Sequence, residues 1–543
     1  MNREDLTYFF VNGKFTEVLV VTTFINCRNM KTRYQIRNIV LGIAGLLCMG
    51  CQSQPERQEL YVSSVVFPDT VSLEEKCRMA AHVIPSERQL VWQEMEFTCF
   101  ICYGINTFTD KEWGTGKEDP QLFHPTELDA RQWVRTAKEA GMKMILLTCK
   151  HHDGFCLWPS KYTDFSVASS PWKGGKGDLV REVSDACREA GLKFAVYLSP
   201  WDMNHPAYGT DAYNDYFVHQ LEELLTQYGP IAEVWFDGAC GEGLNGKKQV
   251  YDFERYYQTI RRLQPEAVIA VMGPDVRWVG TESGYGRDTE WSVIPASQKN
   301  LERIAASSQH ERGTGTFVPD GDAMEKDLGS REKLQQAQGV IWYPSEVDVS
   351  IRPGWYYHTS QDTLVKTPQK LIDIYYSSIG KNSLLLLNLP PDKRGLIHEN
   401  DVQALQEMQR ILRETFQHNL LTVSTSQEEK DLLTDSDLKT YWKPTTKEAV
   451  LSFAFAEEQE FDRLVVQENI TEGQRVENFR LEYRQDGKWQ LASEGTTIGY
   501  KRILRFPKVK AKEVRLVIQQ SRDVPQIAEA GLYLASEEEA ITR

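Results

Sequence analysis

Two imidazoles and a carboxylate stand side by side in Lys150-His151-His152-Asp153-Gly154, directly after the apolar run Met144-Ile145-Leu146-Leu147. Four titratable side chains at one strand end are costly to order for packing alone, so the cluster reads as a ligand site. A second acid follows another apolar stretch, where Asp237 comes after Val234-Trp235-Phe236 and before Gly238. Nothing about packing requires an acid there, and its carboxylate is expected to point into a barrel mouth. A carboxylate so placed suits glycoside hydrolysis, in which one acid attacks or activates water while another protonates the leaving oxygen. The partner acid has three candidates, Glu282 in a glycine-flanked loop, Glu290 before Trp291, and Glu346 before Val347, and spacing leaves the three open. A metal centre built on His151, His152 and Asp153 is the rival. Adjacent histidines rarely aim at one ion and no second histidine pair follows, so no metal is expected.

The elements that must carry these groups repeat. Ala130, Trp133, Val134 and Ala137 form an amphipathic helical face closed by Gly141, and Leu179, Val183, Ala186, Cys187 and Ala190 form another behind an Asp178 N-cap. The joints Glu139-Ala140-Gly141-Met142-Lys143 and Glu189-Ala190-Gly191-Leu192-Lys193 match, and each leads into a strand. A third unit runs through a helix over Tyr213 to Tyr228 into the strand ending at Asp237, and a fourth gives Ala267 to Met272. Strands apolar almost throughout, alternating with helices, indicate a parallel sheet buried on both faces. Polar and aromatic residues at every strand's carboxyl end favour a (β/α)8 barrel over a doubly wound sheet. No glycine-rich phosphate loop follows the first strand, and Gly174-Gly175-Lys176-Gly177 lacks a strand before it.

A chain of 543 residues exceeds one core, and beyond the helix over Val402 to Phe416 the pattern changes to short alternating strands such as Leu451 to Phe455 and Val514 to Ile518. That reads as an antiparallel β-sandwich, expected to buttress the barrel, with glycan binding as its alternative role. The expected division is barrel over 85–417 and sandwich over 418–543. A net charge of -15 excludes nucleic acid as partner. At the amino end Met30-Lys31-Thr32-Arg33 opens a basic segment, Ile39 to Leu47 an apolar one, and Gly50-Cys51 closes it. Residues 30–51 therefore look like an export signal of lipoprotein type with Cys51 as the lipidated residue, after a non-native extension over 1–29 and before a tether over 52–84. The expected location is the periplasm or surface of a Gram-negative bacterium. After Cys51 seven cysteines remain, an odd count without metal spacing, and they read as packing.

Six motifs in order carry a resemblance: Thr107 to Gly114, Lys150 to Trp158, Tyr197 to Asp202, Trp235 to Gly238, Arg352 to His358, and Asn388 to Asp392. Over roughly residues 85 to 540 the chain resembles the α-L-fucosidases of glycoside hydrolase family 29, built on an irregular (β/α)8 barrel followed by a β-sandwich. The second domain resembles the galactose-binding-like, discoidin-type module of related fucosidases. The resemblance implies a retaining mechanism without cofactor, with Asp237 as nucleophile. Gly273 to Glu282 is similar to the subgroup specific for α-1,3 and α-1,4 linkages, which implies Glu282 as acid/base. It further implies fucose contacts from His151, His152, Glu112 and Trp113, with Tyr197, Trp235 and Trp355 nearby, and recognition of the neighbouring galactose of Lewis-type glycans by Asp275 and Glu346. One departure is Cys102, where family members commonly have histidine; a thiol is a weak hydrogen-bond partner. A fucosidase of broader linkage range and a catalytically dead glycan-binding barrel are the alternative readings.

Overall fold

A computed structural model describes residues 9–11, 14–16, 63–296 and 325–540. Phe9–Val11 and Lys14–Thr16 pair as a hairpin in a unit of their own. Cys51 and the segment around it lie outside the described residues.

The main unit is built on eight parallel strands: β1 Phe97–Ile101, β2 Met144–Lys150, β3 Lys193–Leu198, β4 Glu233–Phe236, β5 Val268–Val271, β6 Arg277–Trp278, β7 Ser345–Ser350 and β8 Ser383–Asn388. They pair in the order β5-β4-β3-β2-β1-β8-β7-β6, and a bridge between Ala270 and Val276 joins the two edges. Around them lie the helices α1 Glu87–Gln93, α2 Ala130–Glu139, α3 Leu179–Ala190, α4 Asp211–Gln227, α5 Phe253–Leu263, α6 Pro368–Ser378 and α7 Glu399–Phe416. Asp178 caps α3 by accepting from Arg181 N at 2.9 Å, and Gly191 ends it at φ 75°, a left-handed conformation that suits glycine. All seven cysteines after Cys51 are free and buried.

The regular βα alternation breaks at β5. No helix separates β5 from β6; Val271 turns at φ 64°, and a side chain at Gly273 would overlap the Ile269 carbonyl, so the chain doubles back to the barrel floor and starts again. Arg277 then pairs level with Ser345, the first residue of β7. Asp275 therefore lies at the floor of the barrel. Between β6 and β7 runs the longest excursion, which carries Glu282.

The carboxyl-terminal domain is a five-stranded antiparallel sheet of β9 Ala449–Glu468, β10 Val476–Gln485, β11 Lys488–Gly495, β12 Arg502–Ser521 and β13 Ile527–Tyr533, in the order β11-β10-β12-β9-β13. The short strands expected at Leu451–Phe455 and Val514–Ile518 are parts of two strands of 20 residues each. Register shifts between Ala454 and Gln459 and between Phe461 and Arg463 interrupt their ladder, and bulges of this kind bend strands over a core of their own.

Candidate active site

The mouth is formed where β2, β3 and β4 end and two loops fold over them. β2 terminates at Lys150 with a register shift between Thr148 and Lys150, so the strict alternation of side chains ends there. His151 and His152 consequently lie together, their ring centroids 4.0 Å apart. Their neighbours turn away. Lys150 is fully buried against Asp202 at 3.0 Å and Gln220 at 2.9 Å, and Asp153 accepts from Asn106 Nδ2 at 3.0 Å and Phe155 N at 2.7 Å. Burial pushes the Asp153 carboxyl up to about 7. Of the four titratable groups expected at this strand end, only the two histidines face the mouth.

The tautomer of His152 follows from its partners. Ser199 Oγ spends its proton on the Trp201 carbonyl at 2.7 Å, so His152 Nδ1, 2.8 Å away, must donate to that oxygen. Nε2 is left with a lone pair, 3.9 Å from Asp237 Oδ2. Burial, reinforced by Lys150, holds His152 neutral with its pKa pushed down to about 3. Burial depresses His151 as well, and its Nδ1 has no hydrogen-bond partner. Two neutral rings therefore line the mouth, and the Nε2 lone pair of His152 can accept from a ligand bearing hydroxyls.

Asp237 follows β4. Ala239 N donates to its Oδ1 at 2.6 Å and Tyr197 OH to its Oδ2 at 3.2 Å. Burial raises its pKa against these donors. Phe100, deep at the end of β1, gathers Tyr197, Trp235 and Trp355 around itself at centroid distances of 5.9, 5.6 and 5.9 Å. Trp113, His152 and Trp201 make the opposite wall: Trp113 lies edge-on to His152 at 5.4 Å and to Trp201 at 5.5 Å. Aromatic walls with a few placed polar groups suit a sugar ring.

Glu282 stands at the rim and accepts from Trp355 Nε1 at 3.2 Å. Desolvation raises its pKa, and the charges of Asp237 and Glu112 raise it further. Trp355 is itself held from below, since its backbone N–H donates to Glu112 Oε2 at 2.8 Å. His358 bonds Glu112 through Nε2 at 2.6 Å and Asp110 through Nδ1 at 2.8 Å. A histidine that donates from both nitrogens is an imidazolium, and although burial opposes the charge the two carboxylates raise its pKa.

The other acids are engaged elsewhere. Glu290 is buried between Arg277 and Arg287, the latter at 3.2 Å. Asp275, expected to read a neighbouring sugar, is instead paired with Arg261 at the barrel floor and accepts from Ile269 N at 2.8 Å. Glu346, expected in the same role, is fully buried inside the barrel, where it accepts from Trp235 Nε1 at 2.8 Å. Cys102 is buried and accepts from Thr148 Oγ1 at 3.6 Å, and burial raises its thiol pKa so that it stays neutral. Among the described residues no group of three His, Cys, Asp or Glu side chains is arranged to hold a metal.

Sequence reasoning passed over Phe100, Ser199, Trp201, His358 and Asp348. Ser199, Trp201 and His358 lie inside motifs already singled out. Asp348 accepts from Trp278 Nε1 at 2.6 Å and lies within the field of Glu282. Its signal was the alternation Ser345-Glu346-Val347-Asp348-Val349-Ser350, which sends every second, polar residue to the barrel interior. Phe100 left no signal within a strand whose residues are all buried.

Comparison with known proteins agrees with this geometry. Residues 86–415 match the alpha-L-fucosidase family and residues 419–530 the F5/8 type C domain. The chain is 41% identical over 469 residues to alpha-L-fucosidase 1 of Arabidopsis thaliana, covering 83% of this chain and 87% of that one. A crystal structure of a putative alpha-L-fucosidase from Bacteroides ovatus superposes with a TM-score of 0.79 at 50% identity, covering 88% of this chain and 78% of the other. A family 29 fucosidase of Ruminococcus gnavus, solved in complex with fucose, gives 0.72 at 30% identity, covering 84% and 96%. A barrel whose mouth joins aromatic walls, neutral histidines and two acids, matched along most of its length to such relatives, places the chain in the α-L-fucosidase family of glycoside hydrolases, family 29.

Proposed function

We propose that the enzyme is a retaining, exo-acting α-L-fucosidase that removes α-1,3- and α-1,4-linked fucose from branched, Lewis-type glycans. Asp237 attacks the anomeric carbon while Glu282 protonates the leaving oxygen; Glu282 then deprotonates the water that releases fucose. The observation carrying this reading is that Asp237, fixed at the β4 tip by Ala239 and Tyr197, and Glu282, held by Trp355, lie in each other's field across one aromatic-walled mouth. The lone pair of His152 Nε2 and the carboxylate of Glu112 accept sugar hydroxyls, and His151, Trp113, Tyr197, Trp235 and Trp355 enclose the ring. The apolar group around Phe100 faces the C5 methyl. The linkage range rests on the likeness of Gly273 to Glu282 to the restricted subgroup. With Asp275 and Glu346 engaged inside the protein, the neighbouring galactose meets the exposed ring of Trp113.

The test is fucose release from a fucosylated Lewis trisaccharide and from an aryl α-fucoside by wild type, Asp237→Ala and Glu282→Ala. Release from the trisaccharide by wild type, lost in both variants, is expected. Strong turnover of the aryl fucoside by wild type would overturn the restricted linkage range, and full activity in Asp237→Ala would overturn the nucleophile.

A further inference from the structure

Beneath the mouth the barrel holds two more acids that the proposed chemistry does not use. Glu233 opens β4, Glu346 is the second residue of β7, and both are fully buried. Each caps an indole: Trp92 Nε1 donates to Glu233 Oε2 at 2.6 Å, and Trp235 Nε1 donates to Glu346 Oε1 at 2.8 Å. The remaining oxygens, Glu233 Oε1 and Glu346 Oε2, are buried and meet no donor from the surrounding protein, and the two acids neighbour each other. Carboxylates are acceptors only, so a proton on one of the two is needed to satisfy these oxygens. Burial raises both pKa values, and Glu233 raises Glu346 further, so the pair keeps a proton. Among the described residues neither acid forms an ion pair, so nothing would compensate two buried charges.

The indole that Glu346 holds belongs to the active site. Trp235 lies edge-on to Tyr197 with centroids 4.8 Å apart, and Tyr197 OH donates to Asp237 Oδ2 at 3.2 Å. We propose that Glu346 is a positioning residue: by accepting the indole N–H it fixes Trp235, which through Tyr197 holds Asp237 in its attacking geometry. The inference rests on Asp237 being the nucleophile. It gives Glu346 a task inside the barrel in place of contact with the second sugar.

Two substitutions separate the parts. Glu346→Gln keeps an acceptor for Trp235 and offers an N–H to Glu233, as a protonated carboxyl does, whereas Glu346→Leu fills the space and does neither. With the Lewis trisaccharide, Glu346→Leu is expected to lower kcat about tenfold or more with KM moved less than about threefold, a size in keeping with small displacements of a reacting group. Glu346→Gln is expected to restore most of that loss. Unchanged kcat in Glu346→Leu, a rise in KM alone, or a Glu346→Gln variant that is folded and as slow as Glu346→Leu would each overturn the proposal. Should Glu346→Leu not fold, Trp235→Phe removes the same hydrogen bond while keeping a ring; a kcat equal to wild type there would overturn it too. Asp237→Ala, assayed alongside, reads the nucleophile separately: activity retained in that variant strikes the assignment of Asp237, whatever the Glu346 variants do.

Discussion

At the scale of single residues, the two acids at the mouth predict the pH dependence. Asp237 must be ionised to attack, and burial raises its pKa, so its limb of kcat/KM is lost as pH falls through a value above the ordinary aspartate value of about 3.9. Glu282 must be protonated to act as acid, and desolvation with two nearby carboxylates raises it, so its limb is lost as pH rises through a value above the ordinary glutamate value of about 4.3. The expected profile is a bell displaced upward at both edges, and Glu282→Gln should remove the alkaline edge while lowering the rate on the trisaccharide by about 10² to 10⁴. An alkaline edge that survives in Glu282→Gln would assign it to another group. His152, at about 3, adds no edge to this range. Asp237 and the histidine pair were legible because polar groups at the ends of apolar strands have few other uses. Asp275 and Glu346 were misread because a carboxylate in a sequence does not declare its level in a barrel: one lies at the floor beside Arg261, the other within the core beneath Trp235.

At the scale of elements, the segment Arg352 to His358 works as a clamp. Arg352 anchors it through Asp401 at 2.9 Å and Asp362 at 2.8 Å, and His358 closes it on Glu112 and Asp110. Between these anchors Trp355 reaches Glu282. Gly354 is required by contact, since a Cβ there would overlap Glu112 Oε1. Gly354→Ala should therefore push Glu112 off both Trp355 N and His358, lowering kcat/KM about tenfold or more while the melting temperature moves little; wild-type kcat/KM in that variant would show that the clamp does not position the mouth. Repeated βα units were legible from their matching glycine joints. The helix-free step from β5 to β6 was not, because it depends on Val271 adopting φ 64°, a conformation that a β-branched residue does not advertise. The length of β9 and β12 was hidden for a related reason: register shifts break the alternation by which a strand is recognised.

At the scale of the whole molecule, export and anchoring remain our proposal from the pattern ending in Gly50-Cys51. Mass spectrometry of the native protein should find a mature terminus at Cys51 carrying lipid, and a peptide from residues 1 to 29 in that spectrum would overturn it. The relation between the two domains can be argued from contacts. Gln474, fully buried in the carboxyl-terminal domain, accepts from Ser292 N at 2.7 Å and donates to the Glu290 carbonyl at 3.0 Å, while Glu290 N donates to Thr497 Oγ1 at 3.0 Å. Glu290 in turn pairs with Arg277 of β6, so the second domain grips the segment that follows the Glu282 loop. This supports the buttress reading over an independent glycan-binding role, and it has a measurable consequence. Gln474→Ala leaves the buried Ser292 N–H without a partner, a loss of about 1 to 3 kcal/mol, while the Glu290 carbonyl keeps its bond from Asn382 Nδ2 at 3.1 Å. The urea midpoint of the whole chain should fall accordingly, and kcat/KM on the trisaccharide should fall with it because Glu282 loses its footing. A lowered midpoint with wild-type kcat/KM would confine the second domain to stability, whereas an unchanged midpoint would mean that the barrel holds this segment without help.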